Sequence, residues 1–473
     1  MRHGTSEALR RANLSAVLTL LVRGGPSSRS ELARASGRNR STIGSLVADL
    51  VAMGLVAERD PEPAGHAGRP SPVVSLRPDV AAISVYPEID VLRVTLVGLD
   101  GTFLDDRRRD FDHIPAPEEV IAASAALIGE CRRAASGVAV VGIGAAIPGQ
   151  VRALDGVVRT APHLRWTDVP FGELLGRATG LPVQVANDAS LGALAEHDFG
   201  AGRIGGDGAR SELAGRAGGG DGGGSELAGR AGEREGGRAS GAGSGNVLSG
   251  RAGGREAGRA SGAGSGNVLS GRAGGREAGR GSGVGIGGGG PLVYLNGGAS
   301  GIGGGVVVGG TLLGGAHGYA GELGHARVSS SEVRDSAGIA GTLEAMVTRA
   351  ELQDVLGLKG ADADGLHRAL LADRSARVRR VVERQVGHLA HGLATCVSIL
   401  NPQVIVLGGF LASLLEYDSA RLHAAVAEAT LRPSVEGVAI VASQLGSRLL
   451  PMGAAHLAFG PLLREPAAVM GSR

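Results

Sequence analysis

The chain has 473 residues, 43% of them apolar, which is enough for several packed units. Its 48 basic and 46 acidic residues leave a net charge of +2, which excludes a uniformly basic protein that coats nucleic acid. The 84 glycines and 2% aromatic residues exclude an ordinary globular composition along the whole chain and predict a low-complexity segment.

The N-terminal region shows the pattern of three helices. Eight arginines against two glutamates in the first forty residues make this end basic, as in modules that face a polyanion. A Gly-Gly-Pro sequence at 24–26 ends the first helix, and Ser28 with Glu31 forms a capping box for the second. Asn39 is a good N-cap for a third helix over 40–53. Apolar residues at helical spacing are Leu14, Val17, Leu18, Leu21, Ile43, Leu46, Val47 and Leu50.

The third predicted helix has a polar face near its N-terminus, formed by Arg38, Arg40, Ser41, Thr42 and Ser45. A recognition helix presents such side chains to base edges and phosphates of the major groove. Two strands, Val56–Arg59 and Val73–Leu76, are predicted to flank a Gly/Pro-rich wing in which Arg69 is placed for a phosphate or the minor groove. The sequence of residues 1–78 therefore predicts a winged helix-turn-helix that binds double-stranded operator DNA. Small three-helix modules also serve as dimerisation or packing units, which is the alternative.

In the rest of the chain, strands feed into helices, which predicts an α/β layered fold. An apolar strand over 138–146 leads to Pro148-Gly149, and a strand over 183–186 runs into Asn187 and Asp188. Ligands of layered α/β sheets bind at the carboxyl ends of the strands, so Asn187 and Asp188 are candidate binding residues. The alternative is that this pair only caps the following helix.

Motifs along almost the whole chain resemble the ROK family of repressors and sugar kinases. The N-terminal ones are Arg29-Ser30-Glu31-Leu32-Ala33, Ser41-Thr42-Ile43 and Gly68-Arg69-Pro70. Those of the body are residues 142–149, 161–166, 181–189, 317–325, 401–409 and 452–455. The resemblance implies a two-lobed, actin-like (ribonuclease H-like) sugar-kinase domain, with lobes over 79–204 and 291–465 and a sugar in the cleft.

The resemblance also implies which residues contact the sugar: Asn187, Asp188, Glu322, His325 and His163. Carboxylate, amide and imidazole groups suit a polyol, because each hydroxyl donates one hydrogen bond and accepts two. In kinase members the aspartate is the general base. For His325 the alternative is a hydrogen-bonded core histidine.

The residues that the family uses for ATP and zinc are replaced. Its Asp-x-Gly-Gly-Thr phosphate loop corresponds to Tyr-Pro-Glu-Ile-Asp at 86–90, where Glu88 and Asp90 are predicted to face the phosphates. The glycines of 301–305 are retained, for phosphate binding or for close packing. Asp335, Ala337 and Thr342 stand at the positions of three zinc-binding cysteines. We therefore expect no catalytic residue, metal or cofactor, and a former zinc loop held by packing.

Residues 205–290 form the low-complexity insertion, in which Gly237–Ala257 and Gly258–Ala278 are identical copies. So few apolar residues cannot offset the chain entropy, which predicts a disordered loop. An RGG-like role in nucleic-acid binding is the alternative, although the segment lacks stacking aromatics.

Cys131 and Cys396 lie in apolar helical patterns and are expected in the core of a protein from a reducing compartment. Without a membrane span or signal-peptide core, we expect a cytoplasmic protein.

The sequence thus predicts a DNA-binding regulator, a repressor of carbohydrate-metabolism genes, with a sugar or sugar phosphate as effector in a catalytically inactive cleft. A homodimer or a dimer of dimers is expected on a palindromic operator. Two alternatives stay open: an ATP-dependent sugar kinase with a DNA-binding domain, and a DNA-binding dimer without a small ligand.

Overall fold

A computed structural model describes residues 2–59, 72–202, 290–298, 301–358 and 363–471. Arg69 with most of the wing, and the insertion apart from Gly290, lie outside the described residues. Within the described part, no helix combines the length and the apolar character needed to cross a membrane.

Three helices and a small antiparallel sheet form the N-terminal module. The helices are α1 (Arg2–Gly24), α2 (Arg29–Ser36) and α3 (Arg40–Ala52), and the strands are β1 (Ser27–Ser28), β2 (Val56–Arg59) and β3 (Val73–Leu76), in the order β1-β3-β2. The predicted capping box is confirmed: Ser28 Oγ accepts from the Glu31 N–H at 3.2 Å, and the Ser28 N–H donates to Glu31 at 2.7 Å. Gly37, at φ +65°, turns the chain into α3, where Asn39 accepts from the Thr42 N–H at 2.8 Å. These local signals therefore fix the helix-turn-helix.

A five-stranded sheet follows, in the order β11-β7-β4-β5-β6, with β11, β7 and β4 parallel. Its strands are β4 (Val80–Pro87), β5 (Val91–Gly98), β6 (Phe103–Asp110), β7 (Ala139–Ile147) and β11 (Val183–Asn187). A small antiparallel sheet contains β8 (Gln150–Arg152), β9 (Val157–Ala161) and β10 (Trp166–Val169). The helices of this part are α4 (Pro117–Ala134), α5 (Phe171–Thr179) and α6 (Asp188–Phe199).

A second five-stranded sheet has the order β14-β13-β12-β15-β16. Its strands are β12 (Leu292–Gly297), β13 (Ile302–Val308), β14 (Thr311–Leu312), β15 (Val404–Gly409) and β16 (Ala439–Ala442). The helices are α7 (Leu343–Met346), α8 (Arg349–Leu356), α9 (Ala363–Ala372), α10 (Ala376–Leu400), α11 (Phe410–Tyr417), α12 (Ser419–Glu428), α13 (Arg432–Val435), α14 (Leu449–Arg464) and α15 (Pro466–Gly471). The two sheets with their helices confirm the predicted two-lobed α/β fold.

Helices α6 and α14 pack against each other, α6 on the second sheet and α14 on the first. Glycines allow this close approach: a Cβ on Gly303 would lie 2.7 Å from the Cβ of Ala189, and one on Gly305 the same distance from that of Ala193. The retained glycines of β13 thus serve the close packing of α6.

The apolar core of the N-terminal module continues into the body. Leu21 of α1 and Leu50 of α3 belong to one buried cluster with Val97 of β5 and Phe459 of α14. The module is therefore joined to the first sheet through packed side chains as well as through the chain. Both cysteines are buried and neither forms a disulfide, as predicted. Burial raises the pKa of the Cys131 thiol to about 12.

Candidate functional site

The predicted polar face of α3 points away from the core. Arg38, Arg40, Ser41 and Ser45 are exposed, and Thr42 is half-buried. Among the described residues, no hydrogen bond or ion pair engages the guanidinium groups of Arg38 and Arg40. The uncompensated arginines leave positive charge at the start of α3, in the position where a helix can meet a phosphate backbone.

Asn187 and Asp188 lie where β11 ends and α6 begins. Asn187 Oδ1 caps α6 by accepting from the Ser190 N–H at 2.9 Å, and its Nδ2 donates to the Gly149 carbonyl at 3.1 Å. Asp188 Oδ1 accepts from the Ala189 N–H at 2.8 Å. The capping role is therefore real. Asn187 Nδ2 also donates to Oδ1 of Asp188, and no hydrogen bond from another described residue reaches Oδ2, which can therefore accept from a ligand.

Acidic groups surround Asp188. Burial, together with the charges of Glu88 and Glu322, raises the pKa of the Asp188 carboxyl to about 7, against the hydrogen bond from Ala189. Burial raises the pKa of the Tyr86 hydroxyl, as do the charges of Asp188 and Glu88. A neutral, hydroxyl-rich ligand suits such a cleft better than an anion does.

The segment that replaces the phosphate loop is a tight turn between β4 and β5, closed by the Glu88 N–H donating to the Val91 carbonyl at 2.7 Å. The charge of Glu88 raises the pKa of Asp188, in accord with the prediction that Glu88 faces the cleft. Asp90 is exposed, and its charge, like that of Glu88, acts on Arg108 of β6. That Asp90 faces the phosphates stays a prediction.

Glu322 precedes a single 3-10 turn, Leu323–His325, after the hairpin of the second sheet, and His325 is the last residue of that turn. Burial raises the pKa of Glu322, which the His325 charge and a hydrogen bond from Gln150 of β8 oppose. Burial lowers the pKa of His325, but the hydrogen bond to Asp335 and the nearby Glu344, Asp335 and Glu322 carboxylates raise it overall. Glu322 is thus coupled electrostatically to both Asp188 and His325.

Hydrogen bonds hold the loop that we expected to be held by packing, which corrects that expectation. The fully buried Asp335 carboxylate accepts from the N–H groups of Ala337 (3.0 Å) and Ile339 (2.8 Å). It also accepts from the Thr342 hydroxyl at 2.9 Å and pairs with His325 Nδ1 at 2.8 Å. An ionised carboxylate collects several donors, so it can organise this loop in place of a metal.

His325, Asp335 and Glu344 are the group of potential metal ligands in the described residues, with ligand atoms within 4.8 Å of one another. Glu344 already accepts from the Ile302 N–H at 2.9 Å and from the Ser336 N–H at 3.1 Å. The group is therefore internally hydrogen-bonded, and the half-buried His325 is both a hydrogen-bonded residue of the loop and a neighbour of the cleft.

His163, the fifth predicted sugar-binding residue, takes no part in these hydrogen bonds. It is half-buried on a 3-10 turn, Pro162–Leu164, between β9 and β10. No hydrogen bond or ion pair in the described regions joins it to Asn187, Asp188, Glu322 or His325. Conversely, the sequence reasoning missed Gln150, the partner of Glu322. Its position just after Pro148-Gly149, at the end of a buried strand, was the available signal.

Comparisons with known proteins agree with this architecture. The family model described as "ROK family" matches residues 89–243 and 293–460. The xylose repressor of Caldicellulosiruptor bescii is 20% identical over 481 residues, which cover 98% of this chain and 99% of that protein. A crystal structure of a ROK family transcriptional regulator, a homologue of the E. coli MLC protein, has a TM-score of 0.66 at 20% identity and covers 98% of this chain and 100% of its own. The crystal structure of the ROK hexokinase from Thermus thermophilus has a TM-score of 0.51 at 23% identity and covers 81% of this chain and 99% of its own.

Proposed function

The chain belongs to the ROK family, and we propose that it is a cytoplasmic DNA-binding repressor of carbohydrate-metabolism genes that senses a sugar. The observation that carries this proposal is the joining of two features in one fold. The exposed face of α3 carries unpaired arginines, and the buried face of the same helix shares a core with the α/β body, whose cleft has a replaced phosphate loop. Similarity along 98% of the chain to a protein named xylose repressor supports the same function and makes D-xylose the first sugar to test.

On the DNA side, Arg38, Arg40, Ser41, Thr42 and Ser45 contact the major groove and its phosphates in this proposal, and Arg69 contacts a phosphate or the minor groove from the wing. A homodimer, or a dimer of dimers, places two such helices on a palindromic operator.

On the ligand side, Asn187, Asp188, Glu322, His325 and His163 bind the sugar. The unpaired oxygen of Asp188 and the carboxylate of Glu322 accept from hydroxyl groups. Because Glu88 adds a third carboxylate near Asp188, we favour an uncharged sugar over a sugar phosphate as the effector. The same carboxylate, with a side chain in place of a loop glycine, opposes binding of the ATP phosphates, so we propose that the cleft binds without phosphoryl transfer.

The DNA function is tested by fluorescence anisotropy with a duplex from the gene's own promoter and a random duplex of equal length. We expect tighter binding to the promoter duplex. Arg40→Ala should weaken both complexes and reduce the slope of log K against log salt by about 1. Arg432→Ala, an equal charge change on the exposed surface of α13, is the matched control and should leave the slope unchanged. Equal wild-type affinity for the two duplexes contradicts the proposal.

The ligand function is tested by thermal unfolding with D-xylose, D-glucose and D-xylose 5-phosphate. Stabilisation by a free sugar, reduced in Asp188→Asn, is the expected result. A coupled assay with ATP and the same sugars checks catalysis. ATP-dependent sugar phosphorylation that is lost in Asp188→Asn would establish the kinase alternative, whereas no response to any sugar favours a regulator without a small ligand.

A further inference from the structure

Helix α6 connects two functional regions of the molecule. It begins at Asp188, in the candidate cleft, and ends at Phe199. Twelve residues in a helix span roughly 16 Å. The residue before its last, Asp198, lies at the opposite end of the helix and has a fully buried side chain. A displacement of one end of a short rigid helix therefore moves the other.

The buried Asp198 carboxylate lies within ion-pair distance of three basic side chains, and among the described residues Arg23 Nε and Asp198 Oδ2 have no partner in hydrogen-bonding geometry. Arg23 Nε lies 2.8 Å from Oδ1, His197 Nδ1 lies 2.6 Å from Oδ1, and His456 Nε2 lies 2.8 Å from Oδ2. Burial raises the pKa of Asp198, but these three partners outweigh burial and hold it well below its usual range. Arg23 belongs to the last turn of α1, and His456 belongs to α14. The end of α6 is thus ion-paired to the N-terminal module.

The surroundings of this ion pair leave little freedom. Helix α1 packs on α14 and on α3, and Arg10 of α1 pairs with Asp49 of α3. The cavity at the junction, lined by Val22, Phe199 and His456 among others, measures about 10 Å³, roughly the space of one water. A buried charge that loses its partner is costly, so α1 has to follow α6 or the ion pair has to break.

We propose that α6 is the connection between the two sites: occupancy of the cleft shifts α6, and the Arg23–Asp198 ion pair transmits the shift to α1 and α3. The proposal rests on the proposed function and adds its route of regulation. Two sites are coupled when they bias one two-state element, and here that element is the position of α6 relative to α1.

A double-mutant cycle on operator affinity tests this route, and it can be measured before the sugar is identified. Its members are the wild type, Asp188→Asn, Arg23→Met and the double variant, measured with the promoter duplex. Substitutions at distant positions, here Asp188 in α6 and Arg23 in α1, have additive effects unless something couples them. We expect the double variant to depart from the product of the single effects by about 5-fold or more. Methionine keeps most of the arginine stem, and Asp198 keeps both histidines, so the fold should tolerate Arg23→Met.

Arg11→Ala provides the matched control. Arg11 is also in α1 and also pairs with a carboxylate outside the N-terminal module, but its 3.5 Å ion pair with Glu465 is exposed and should contribute little. We expect the cycle of Arg11→Ala with Asp188→Asn to be additive. Thermal unfolding checks that all variants are folded, and Arg23→Lys, which keeps the charge but loses Nε, replaces Arg23→Met if that variant unfolds.

The outcomes separate the two proposals. Non-additivity confined to the Arg23 cycle supports the route through α6. Additivity of both cycles to within about 2-fold, with wild-type protein that prefers its promoter duplex, overturns the route and leaves the proposed function standing. Wild-type protein without that preference overturns the proposed function itself.

Discussion

Asp188 shows at the scale of one residue how burial and neighbouring charge set protonation. Its pKa is about 7 in the folded protein, against about 3.9 for an unfolded aspartate. At a pH between about 4 and about 7, Asp188 is protonated in the folded chain and ionised in the unfolded chain. The contribution of Asp188 to the free energy of unfolding therefore falls as the pH rises through this range. Above pH 7 the loss is complete.

Replacement by the neutral, isosteric asparagine removes that loss. We predict that Asp188→Asn has nearly the stability of the wild type near pH 4 and is more stable above pH 7, by about 2–4 kcal/mol. Urea unfolding at the two pH values measures the difference. Asp354→Asn, an exposed change on α8, serves as control. A stability difference for Asp188→Asn that does not grow with pH contradicts the assignment.

Asp335 is a residue whose importance depends on the donors it collects. Asp335→Ala leaves the Thr342 hydroxyl, His325 and two backbone N–H groups without their acceptor. We predict a loss of about 3 kcal/mol in the free energy of unfolding, measured by urea denaturation. Asp335→Asn, which keeps an acceptor oxygen and the shape, should lose clearly less.

We also predict that the stability of the loop around Asp335 does not depend on a metal ion. Because Asp335 organises the loop by hydrogen bonds, excess EDTA should leave the thermal unfolding midpoint of the wild type unchanged. Zinc added after dialysis should have no effect either. A midpoint that EDTA lowers and zinc restores would show instead that His325, Asp335 and Glu344 hold a metal.

At the scale of elements, local signals were sufficient where a helix or strand depends on neighbours in sequence. The capping box of Ser28, the cap at Asn39 and the strand bounds Val56–Arg59 are of this kind. Strand β1 was not predicted, because a two-residue strand exists only through its pairing with β3. The strand pattern indicated Asp188 and the family resemblance indicated Glu322, but neither indicated Gln150, since the contact between β8 and the Glu322 turn depends on tertiary structure.

Close packing of elements yields a further prediction at this scale. A Cβ on Gly144 of β7 would overlap the carbonyl oxygen of Ala454 in α14. Gly144→Ala should therefore push α14 off the first sheet and lower the free energy of unfolding by about 3 kcal/mol. Gly176→Ala in α5, where the nearest atom lies 3.5 Å from the added Cβ, is the matched control. The control should be neutral or gain up to about 1 kcal/mol in urea unfolding.

At the scale of the whole molecule, the decisive feature is one that the sequence could not reveal. Arg23, Asp198 and His456 are far apart along the chain, and each looked like an ordinary residue of its helix. Their meeting follows from how α1, α6 and α14 pack, which depends on every element between them. The sequence therefore predicted a sensor and a DNA-binding module, but not the contacts through which one can influence the other.

The common core makes a last prediction, about cooperativity between the module and the body. Phe459 of α14 is buried in the cluster that contains Leu21 and Leu50 of the N-terminal module. Phe459→Ala should cost about 3–5 kcal/mol and, because α1 and α3 lose their support, speed amide hydrogen exchange in α3. Phe171→Ala removes an equally large buried ring from a separate cluster around the first sheet and is the control. If both variants destabilise the protein and only Phe459→Ala exposes α3, then α3 and the body share one cooperative core. Equal protection of α3 in both variants would mean that the module folds independently.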